Sequence, residues 1–295
     1  MSLGWTTLVF GGYTAALLAI GAVGFTLQFG VTNVLNLSYG AIMTSAIYVD
    51  YLVGRGNPNI WLALAVGAVW GGLATWLIGH FLVTAFVRRG TSSFGMAMVT
   101  IALGLIIEFS LEAIQGPLIL SFHTHRGTEV RLLSVIVSTE QLIIVGAAIL
   151  MMLLMHLLLK FTRLGLAMRA TAADASLTRA CGVSTGRIRG VAWLISGALC
   201  GIAGVLLGIT QGSFNSATGA DFFITLVAAA IVGGIGKPYG AMVGALIVGL
   251  VSEGAASVFS PSYKYVIAFA ILVVVLMVRP QGIFAEYAST RELVG

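Results

Sequence analysis

Charged residues are scarce in this sequence. They make up 8% of its 295 residues, whereas a soluble domain carries roughly 25%. A soluble fold could not cover its surface with so few charges. Hydrophobic residues make up 59%, and the mean hydropathy is +1.05. The composition therefore excludes an ordinary soluble enzyme and indicates a protein that presents apolar side chains to lipid.

Sequence features of catalysis and cofactor binding are also missing. The two cysteines, Cys181 and Cys200, suggest neither a disulfide framework nor a metal site. His123 and His125 lack the further ligands of a zinc site. The run GGIGKP at 233–238 lacks the first glycine and the Ser/Thr of a phosphate-binding loop. We therefore expect no enzymatic activity, no metal and no cofactor bound by this chain.

Long apolar runs are what the sequence has instead. A helix needs about 20 apolar residues to cross a bilayer. Runs on this scale lie near 6–28, 33–53, 60–86, 93–114, 138–159, 190–210, 222–236, 239–259 and 264–279. The run at 222–236 is short enough for a half-helix or a re-entrant segment. We predict an all-α fold, namely a polytopic integral membrane helical bundle of eight or nine segments, in one transmembrane domain over residues 1–295.

Basic residues predict the orientation of this bundle. The loop at 160–190 carries six of the 15 Lys and Arg residues, and loops of this kind stay in the cytoplasm. Nine alternating spans then place eleven basic residues inside and four outside, with an external N-terminus and a cytoplasmic C-terminus. Because the net charge of +5 comes from the ends of apolar runs, it indicates a lipid bilayer as partner and not nucleic acid.

Glycines recur four residues apart inside the apolar runs. Small residues at this spacing let helix backbones approach closely in lipid, where no hydrophobic effect drives helices together. We therefore expect these glycines to pack the bundle. The pairs are Gly67 and Gly71, Gly197 and Gly201, Gly204 and Gly208, and Gly240 and Gly244.

Polar residues at membrane depth are costly, so each one needs a reason. The densest group lies in QFGVTNVLNLSYGA and comprises Gln28, Asn33, Asn36, Ser38 and Tyr39. One interpretation is a broken helix that lines the permeation path, because unwound backbone is tolerated beside protein or a water-filled cavity. The other is a polar connection between spans at the cytoplasmic surface. The sequence favours neither.

Three carboxylates extend this set of candidate pathway residues. Glu108 and Glu112 are four residues apart and share one helix face. They either meet a cationic group or guard an entrance, or they have reached the external headgroups. Glu253 lies in the middle of an apolar run, so we expect it to face the bundle interior and to be paired or protonated.

The loop at 160–190 is predicted to contain a short amphipathic helix. Thr171 with Asp174 makes a capping-box-like start, Gly182 is a stop, and Ser184 can cap the following helix. The apolar stripe of the short helix needs a partner, which is either the membrane surface or a groove on another protein. The stripe consists of Ala173, Leu177, Ala180 and Cys181.

The same loop, AMRATAADASLTRACGVSTGRIRG, resembles the cytoplasmic coupling loop of branched-chain amino acid ABC transporter permeases. In that family an Arg-Ala dipeptide is followed by an acidic residue and then by a glycine before the next span. Here Arg169-Ala170, Asp174 and Gly182 occupy these places. Three further stretches resemble family segments, and together they match the LivH-like member of the permease pair. They are VTNVLNLSYGAIM, AAAIVGGIGKPYGAMVGALIVGLVSE and SPSYKYVIAFAILVVVLMVRPQGIFA.

The resemblance implies a permease subunit of an ATP-driven importer in the bacterial plasma membrane. It implies as partners a second related permease, two cytoplasmic ATP-binding subunits that use the ATP, and an extracytoplasmic solute-binding protein. The residues expected to couple to the ATPases are Arg169, Asp174, Leu177, Arg179 and Gly182.

The solute stays open at this stage. Relatives carry branched-chain or other amino acids, urea, amides or aromatic acids. Ser38-Tyr39 replaces the family's more usual Ala-His pair near the expected path. A different alternative is an ion-coupled secondary transporter, in which Glu253 would be the candidate ion site.

Overall fold

The computed structural model describes residues 2–54, 59–116, 118–122, 129–132, 135–259, 263–279 and 282–284. The α-helices of this part of the chain are α1 (Ser2–Thr32), α2 (Tyr39–Val53), α3 (Ile60–Leu77), α4 (Thr84–Arg88), α5 (Ser93–Gln115), α6 (Thr139–Phe161), α7 (Arg163–Ala173), α8 (Ala175–Ala180), α9 (Thr185–Gln211), α10 (Thr218–Gly233), α11 (Pro238–Val258) and α12 (Lys264–Val278). A π-helical stretch (Ile78–Val83) joins α3 and α4 into one continuous helix. The predicted helical fold is confirmed.

Short strands occur only as two antiparallel pairs among the described residues. β1 (Leu120–Ser121) pairs with β4 (Ser213–Phe214), and β2 (Glu129–Leu132) pairs with β3 (Val135–Ser138). The first pair ties the segment after α5 to the segment after α9. It lies beside an aromatic cluster that includes Phe214, and we call this side of the molecule the strand end.

Within the described part of the chain, six helical stretches are long and apolar enough to cross a membrane. They are Thr7–Thr32, Ile60–Arg88, Ser93–Gln115, Gln141–Phe161, Thr185–Gln211 and Pro238–Ser257. α2 and α12 have 15 residues and α10 has 16. At 1.5 Å per residue α10 is about 24 Å long, less than the roughly 30 Å of a bilayer core. Six crossings are thus supported, and the predicted total of eight or nine is not confirmed.

Two of the short helices begin inside the bundle. The thiol of Cys200, near the middle of α9, donates to the carbonyl oxygen of Tyr39 in the first turn of α2 (3.3 Å). Residues 33–38 before it are not helical, so the span predicted to start at residue 33 is interrupted. The amide of Gly219 in α10 donates to Oγ1 of Thr44 (3.0 Å). The first turns of α2 and α10 therefore meet at the depth of the middle of α9.

α9 packs against α3 through facing glycines, as the sequence predicted. A methyl group on Gly71 would collide with the carbonyl oxygen of Gly197, and a methyl group on Gly201 would collide with that of Gly67. The helix axes can approach this closely only because neither side carries a Cβ atom. The other predicted glycines also pack closely: Gly204 and Gly208 against α2, and Gly240 and Gly244 against α10.

Basic residues gather at the side of the bundle opposite the strand end. Gly30, near the end of α1, abuts Gly236, which precedes Lys237 and α11. Lys160 in the last turn of α6 and Arg169 of α7 line the same cavity as Gly30 and Lys237. We call this side the basic end.

Candidate functional site

Three of the predicted polar residues form a buried cluster with Ser196 of α9. Oγ of Ser38 donates to Oδ1 of Asn36 (2.6 Å), and Nδ2 of Asn36 donates to Oε1 of Gln28 (3.4 Å). Oγ of Ser196 donates to the same Gln28 oxygen (3.1 Å). Each of the four residues is at most 1% exposed, and Nε2 of Gln28 has no partner among the described residues. Gln28 of α1 and Ser196 of α9 thus fix the position of the non-helical segment between α1 and α2.

Two of the backbone groups freed by this break are satisfied by Thr100 of α5. Oγ1 of Thr100 accepts from the amide of Leu37 (3.2 Å) and donates to the carbonyl oxygen of Leu35 (3.0 Å). Unwound backbone at membrane depth needs such partners, because lipid offers none. The surroundings of the cluster favour the broken-helix interpretation over a surface connection. That the cluster lines a permeation path stays a prediction.

Asn33 has a different environment from the rest of the polar group. It is exposed, and its backbone is left-handed with φ of 54°. Its amide still donates to the carbonyl oxygen of Phe29 (2.7 Å), and α1 ends at the preceding residue, Thr32. Asparagine tolerates this conformation better than most residues. Asn33 is therefore a helix terminator outside the buried cluster.

Tyr39 anchors the first turn of α2 inside the bundle. It is fully buried, and its hydroxyl lies 3.2 Å from the carbonyl oxygen of Gly21 and 3.1 Å from that of Ser196. Its ring packs against Phe25 at 5.7 Å and Phe223 at 5.9 Å between centroids. One side chain thus connects α1, α2, α9 and α10.

Glu108 and Glu112 lie four residues apart on one face of α5, and the charge of a third carboxylate, Asp221 of α10, also acts on Glu108. Both are partly buried, and the Glu108 carboxylate is close enough to Glu112 and Asp221 to interact with their charges. Asp221 lies in the first turn of α10. Asp221 is itself exposed, so it acts on Glu108 through its charge and without a direct contact between α10 and α5 that the structure shows.

Glu253 is paired, as the sequence analysis expected, and its partner is Lys264. Nζ of Lys264, the first residue of α12, lies 2.7 Å from Oε2 of Glu253. Oγ1 of Thr14 also donates to this oxygen (3.4 Å). The carboxylate is therefore already engaged by α1 and α12.

Asp174 caps the short helix of the 160–190 loop. Its Oδ1 accepts from the hydroxyl (2.6 Å) and amide (2.7 Å) of Ser176 and from the amide of Leu177 (3.0 Å). These hydrogen bonds, that of the Ser176 hydroxyl first, hold the pKa of the Asp174 carboxyl below its ordinary value. The predicted start at Thr171 is wrong, because Thr171 lies inside α7 and its hydroxyl donates to the carbonyl oxygen of Ala167 (2.7 Å). Extended backbone at Asp174 separates α7 from α8.

The remaining residues predicted for the 160–190 loop lie on α8 or beside it in the sequence, and most of them are exposed. α8 ends at Ala180, and Gly182 follows with φ of 83°, so the predicted stop is confirmed. Ser184 precedes α9, but its side chain makes no capping hydrogen bond. Arg169 and Arg179 are exposed. The whole predicted stripe is exposed as well: Ala173, Leu177 (63%), Ala180 and Cys181.

Comparison with known proteins identifies a family of transport permeases. The model of the permease component of branched-chain amino acid transport systems matches residues 7–276. The high-affinity branched-chain amino acid transport system permease proteins LivH of Salmonella typhimurium and BraD of Pseudomonas aeruginosa are 28% and 29% identical over 288 residues, which are 93% of this chain and 92% of each relative. A probable LivH of Methanocaldococcus jannaschii is 30% identical over 279 residues, 90% of this chain and 88% of the relative. No solved structure matches the chain.

Proposed function

Because the chain belongs to the family of permease components of branched-chain amino acid transport systems, we propose that it is the permease subunit of an ATP-driven importer. It forms half of a translocation pore, and a second, related permease forms the other half. Two separate ATP-binding subunits supply the energy, and an extracytoplasmic solute-binding protein delivers the solute. The protein spans a bacterial plasma membrane several times, with its basic end in the cytoplasm and its N-terminus outside.

The observation that carries this proposal is the exposed stripe of α8. Leu177 is 63% exposed at the basic end, on a helix whose first turn is fixed by Asp174. An apolar stripe on a short, capped helix outside the bundle fits a groove on a partner protein. Arg169 and Arg179 flank it with positive charge for the acidic rim of such a groove. We assign α8 as the contact to the ATP-binding subunits.

The connection from α8 to the bundle supports a mechanism. A short link with Gly182 joins α8 to α9, so a displacement of α8 is passed directly to α9. Ser196 of α9 bonds to the buried cluster at the non-helical segment before α2, and Cys200 of α9 bonds to the first turn of α2. Closure of the ATPases would therefore tilt α9 and shift the two short helices that meet inside the bundle. Such coupled displacement of packed helices opens one side of a pore and closes the other.

The proposed solute is a branched-chain or related amino acid. The relatives' names support this class, because LivH and BraD are branched-chain amino acid permeases. The carboxylates of Glu108, Glu112 and Asp221 supply negative charge for the ammonium group of such a solute. In this proposal the buried cluster of Gln28, Asn36 and Ser38 positions the wall of the path beside them.

A pair of leucine substitutions tests the docking role of α8. Leu177→Ser should lower solute-stimulated ATPase activity and co-purification of the ATP-binding subunits about tenfold, since an interface leucine contributes roughly 1.5 kcal/mol. Leu166→Ser is the matched control, because Leu166 is 61% exposed on the neighbouring helix α7. Equal effects of the two substitutions, or full coupling in Leu177→Ser, would refute the assignment.

A further inference from the structure

The helix α5 contributes little to the packing of its own chain. Of the six membrane-length stretches in the described part of the chain it is the least buried, with 17% of its apolar stretch buried against 83% for α9. Its main neighbour among the described elements is the short helix α2, and Thr100 and Gly104 contact the segment that precedes α2. Most of the surface of α5 is therefore left for lipid or for another protein.

This exposed surface combines an apolar ridge with a carboxylate at membrane depth. The ridge consists of Leu105, Ile106 and Phe109, which are all exposed. Glu108 lies beside it, seven residues before the end of α5 at Gln115. Seven residues correspond to about 10 Å along the helix axis, and the hydrocarbon core is about 30 Å thick. Glu108 thus lies well below the headgroups.

Asp221 adds an exposed carboxylate that lies deeper still. It is in the first turn of α10, and that turn meets α2 at the depth of the middle of α9. Its charge acts on Glu108 and on Tyr265 of α12. We call Glu108, Glu112 and Asp221 the acidic face. Hydrocarbon is a poor neighbour for a carboxylate at this depth, so the acidic face needs a cover of protein or a water-filled path.

The outer surface of α6 has the opposite character. Every exposed residue between positions 142 and 157 is apolar, as contact with lipid requires. These residues are Leu142, Gly146, Ile149, Leu150, Leu153, Leu154 and Leu157. The chain thus has one surface that suits lipid, at α6, and one that does not, at α5 and the start of α10.

The charge of the acidic face also selects the kind of partner. A two-fold contact between copies of this chain would use the same patch on both sides. Carboxylates would then lie opposite carboxylates, and like charges in such positions disfavour a contact. A different chain avoids this repulsion when it presents apolar side chains to the ridge and hydrogen-bond donors to the acidic face.

We propose that the ridge of α5 and the acidic face form the contact of this chain with the second permease, so that the pore lies beside α5 and α10 while α6 faces lipid. The inference rests on the proposed function and adds to it the surface of contact and a pore of two different chains. The second permease shields the carboxylates from lipid and leaves them accessible to the ammonium group of a solute in the path.

Site-specific photocross-linking of the complete importer in membranes tests this surface. A benzophenone amino acid replaces Phe109, which is 62% exposed on α5, or Leu153, the matched control, which is 52% exposed on α6. We expect irradiation to join the second permease to the chain labelled at Phe109, and this adduct to be lost when the label is at Leu153. No adduct from Phe109, equal adducts from both positions, or an adduct of Phe109 with another copy of this chain would overturn the proposal.

A pair of tryptophan substitutions tests the same surface by co-purification. Ile106→Trp should lower recovery of the second permease about tenfold, within the range that overpacking of a close contact causes. Leu150→Trp on α6 is the matched control and should leave recovery unchanged, because lipid adapts to a larger side chain. Equal recovery with the two variants would contradict the assigned contact. If the unsubstituted chain recovers no second permease, the proposed function itself fails, whereas recovery without an adduct from Phe109 overturns only the assigned contact.

Discussion

The Lys264 ammonium group lies 2.7 Å from the Glu253 carboxylate and connects the first residue of α12 to α11. The carboxylate is only 17% exposed, and Thr14 of α1 donates to it as well. A carboxylate that is neutralised by a neighbouring cation is a poor site for a coupling ion, because the ion would have to displace the ammonium group. The pair therefore favours a structural role for Glu253 over the ion-coupled alternative.

Glu253→Gln separates these two roles. In proteoliposomes that contain the complete importer, we expect ATP-dependent uptake to stay within about twofold of the unsubstituted protein. The free energy of unfolding should fall by about 1 kcal/mol, the range of partly exposed ion pairs. Lys264→Gln should have a similar effect, since it breaks the same pair. Uptake that follows a proton or sodium gradient and vanishes in Glu253→Gln would instead identify an ion-coupled transporter.

The contact between α3 and α9 leaves no space for a methyl group at Gly71. Gly71→Ala should therefore lower the free energy of unfolding in detergent by about 2 to 3 kcal/mol, although alanine is the better helix former. Gly146→Ala in α6 is the matched control, because a methyl group there meets no neighbour among the described residues. It should be neutral or slightly stabilising. Equal tolerance at the two positions would contradict the packing of α3 on α9.

The cap of α8 has a defined pH dependence. Because hydrogen bonds in the folded loop lower the pKa of Asp174, its contribution to the order of α8 is complete above the unfolded value of about 3.9. The contribution is lost only as the pH falls through the lower folded value. We expect the Ser176 and Leu177 amides to show constant protection from hydrogen exchange between about pH 5 and 8. Asp174→Ala should remove this protection, and Asp174→Asn should keep part of it. A loss of protection near neutral pH would contradict the cap.

The Tyr39 hydroxyl is expected to contribute to stability more than to transport. Tyr39→Phe removes its hydrogen bonds to α1 and α9 and should lower the free energy of unfolding by about 1 kcal/mol. Uptake of the solute should stay within about threefold, because the ring still packs against Phe25 and Phe223. Tyr263→Phe, at a tyrosine that is 52% exposed, is the control and should leave stability unchanged. A transport defect without any loss of stability would place Tyr39 in the solute path.

Much of the helical framework follows from the sequence alone. Hydropathy placed α5 at 93–114, against Ser93–Gln115 in the structure, and α6 at 138–159, against Thr139–Phe161. The glycine spacing predicted the close packing of α9. Both signals are local, because a membrane helix satisfies its own backbone and needs only length, apolar composition and small residues at its contacts.

The departures from the sequence analysis depend on tertiary contacts. α2 begins where Cys200 and Ser196 of α9 hold it, and neither residue stands out in an apolar run. The π-helical stretch fits the Trp193 indole against Gly79, where a methyl group would collide with the ring. These contacts join residues that are far apart in the sequence, so a pattern within one segment cannot predict them. A small polar residue in a glycine-rich span, such as Ser196, was the available signal for the missed cluster member.

The most direct test of the central claim is purification of the chain from its native membrane in mild detergent, with identification of every stoichiometric partner. The proposed function predicts a complex with a second, related permease and two ATP-binding subunits. Leu177→Ser should release the ATP-binding subunits and retain the second permease. Recovery of the chain alone, or with copies of itself and no ATP-binding subunit, would contradict the importer.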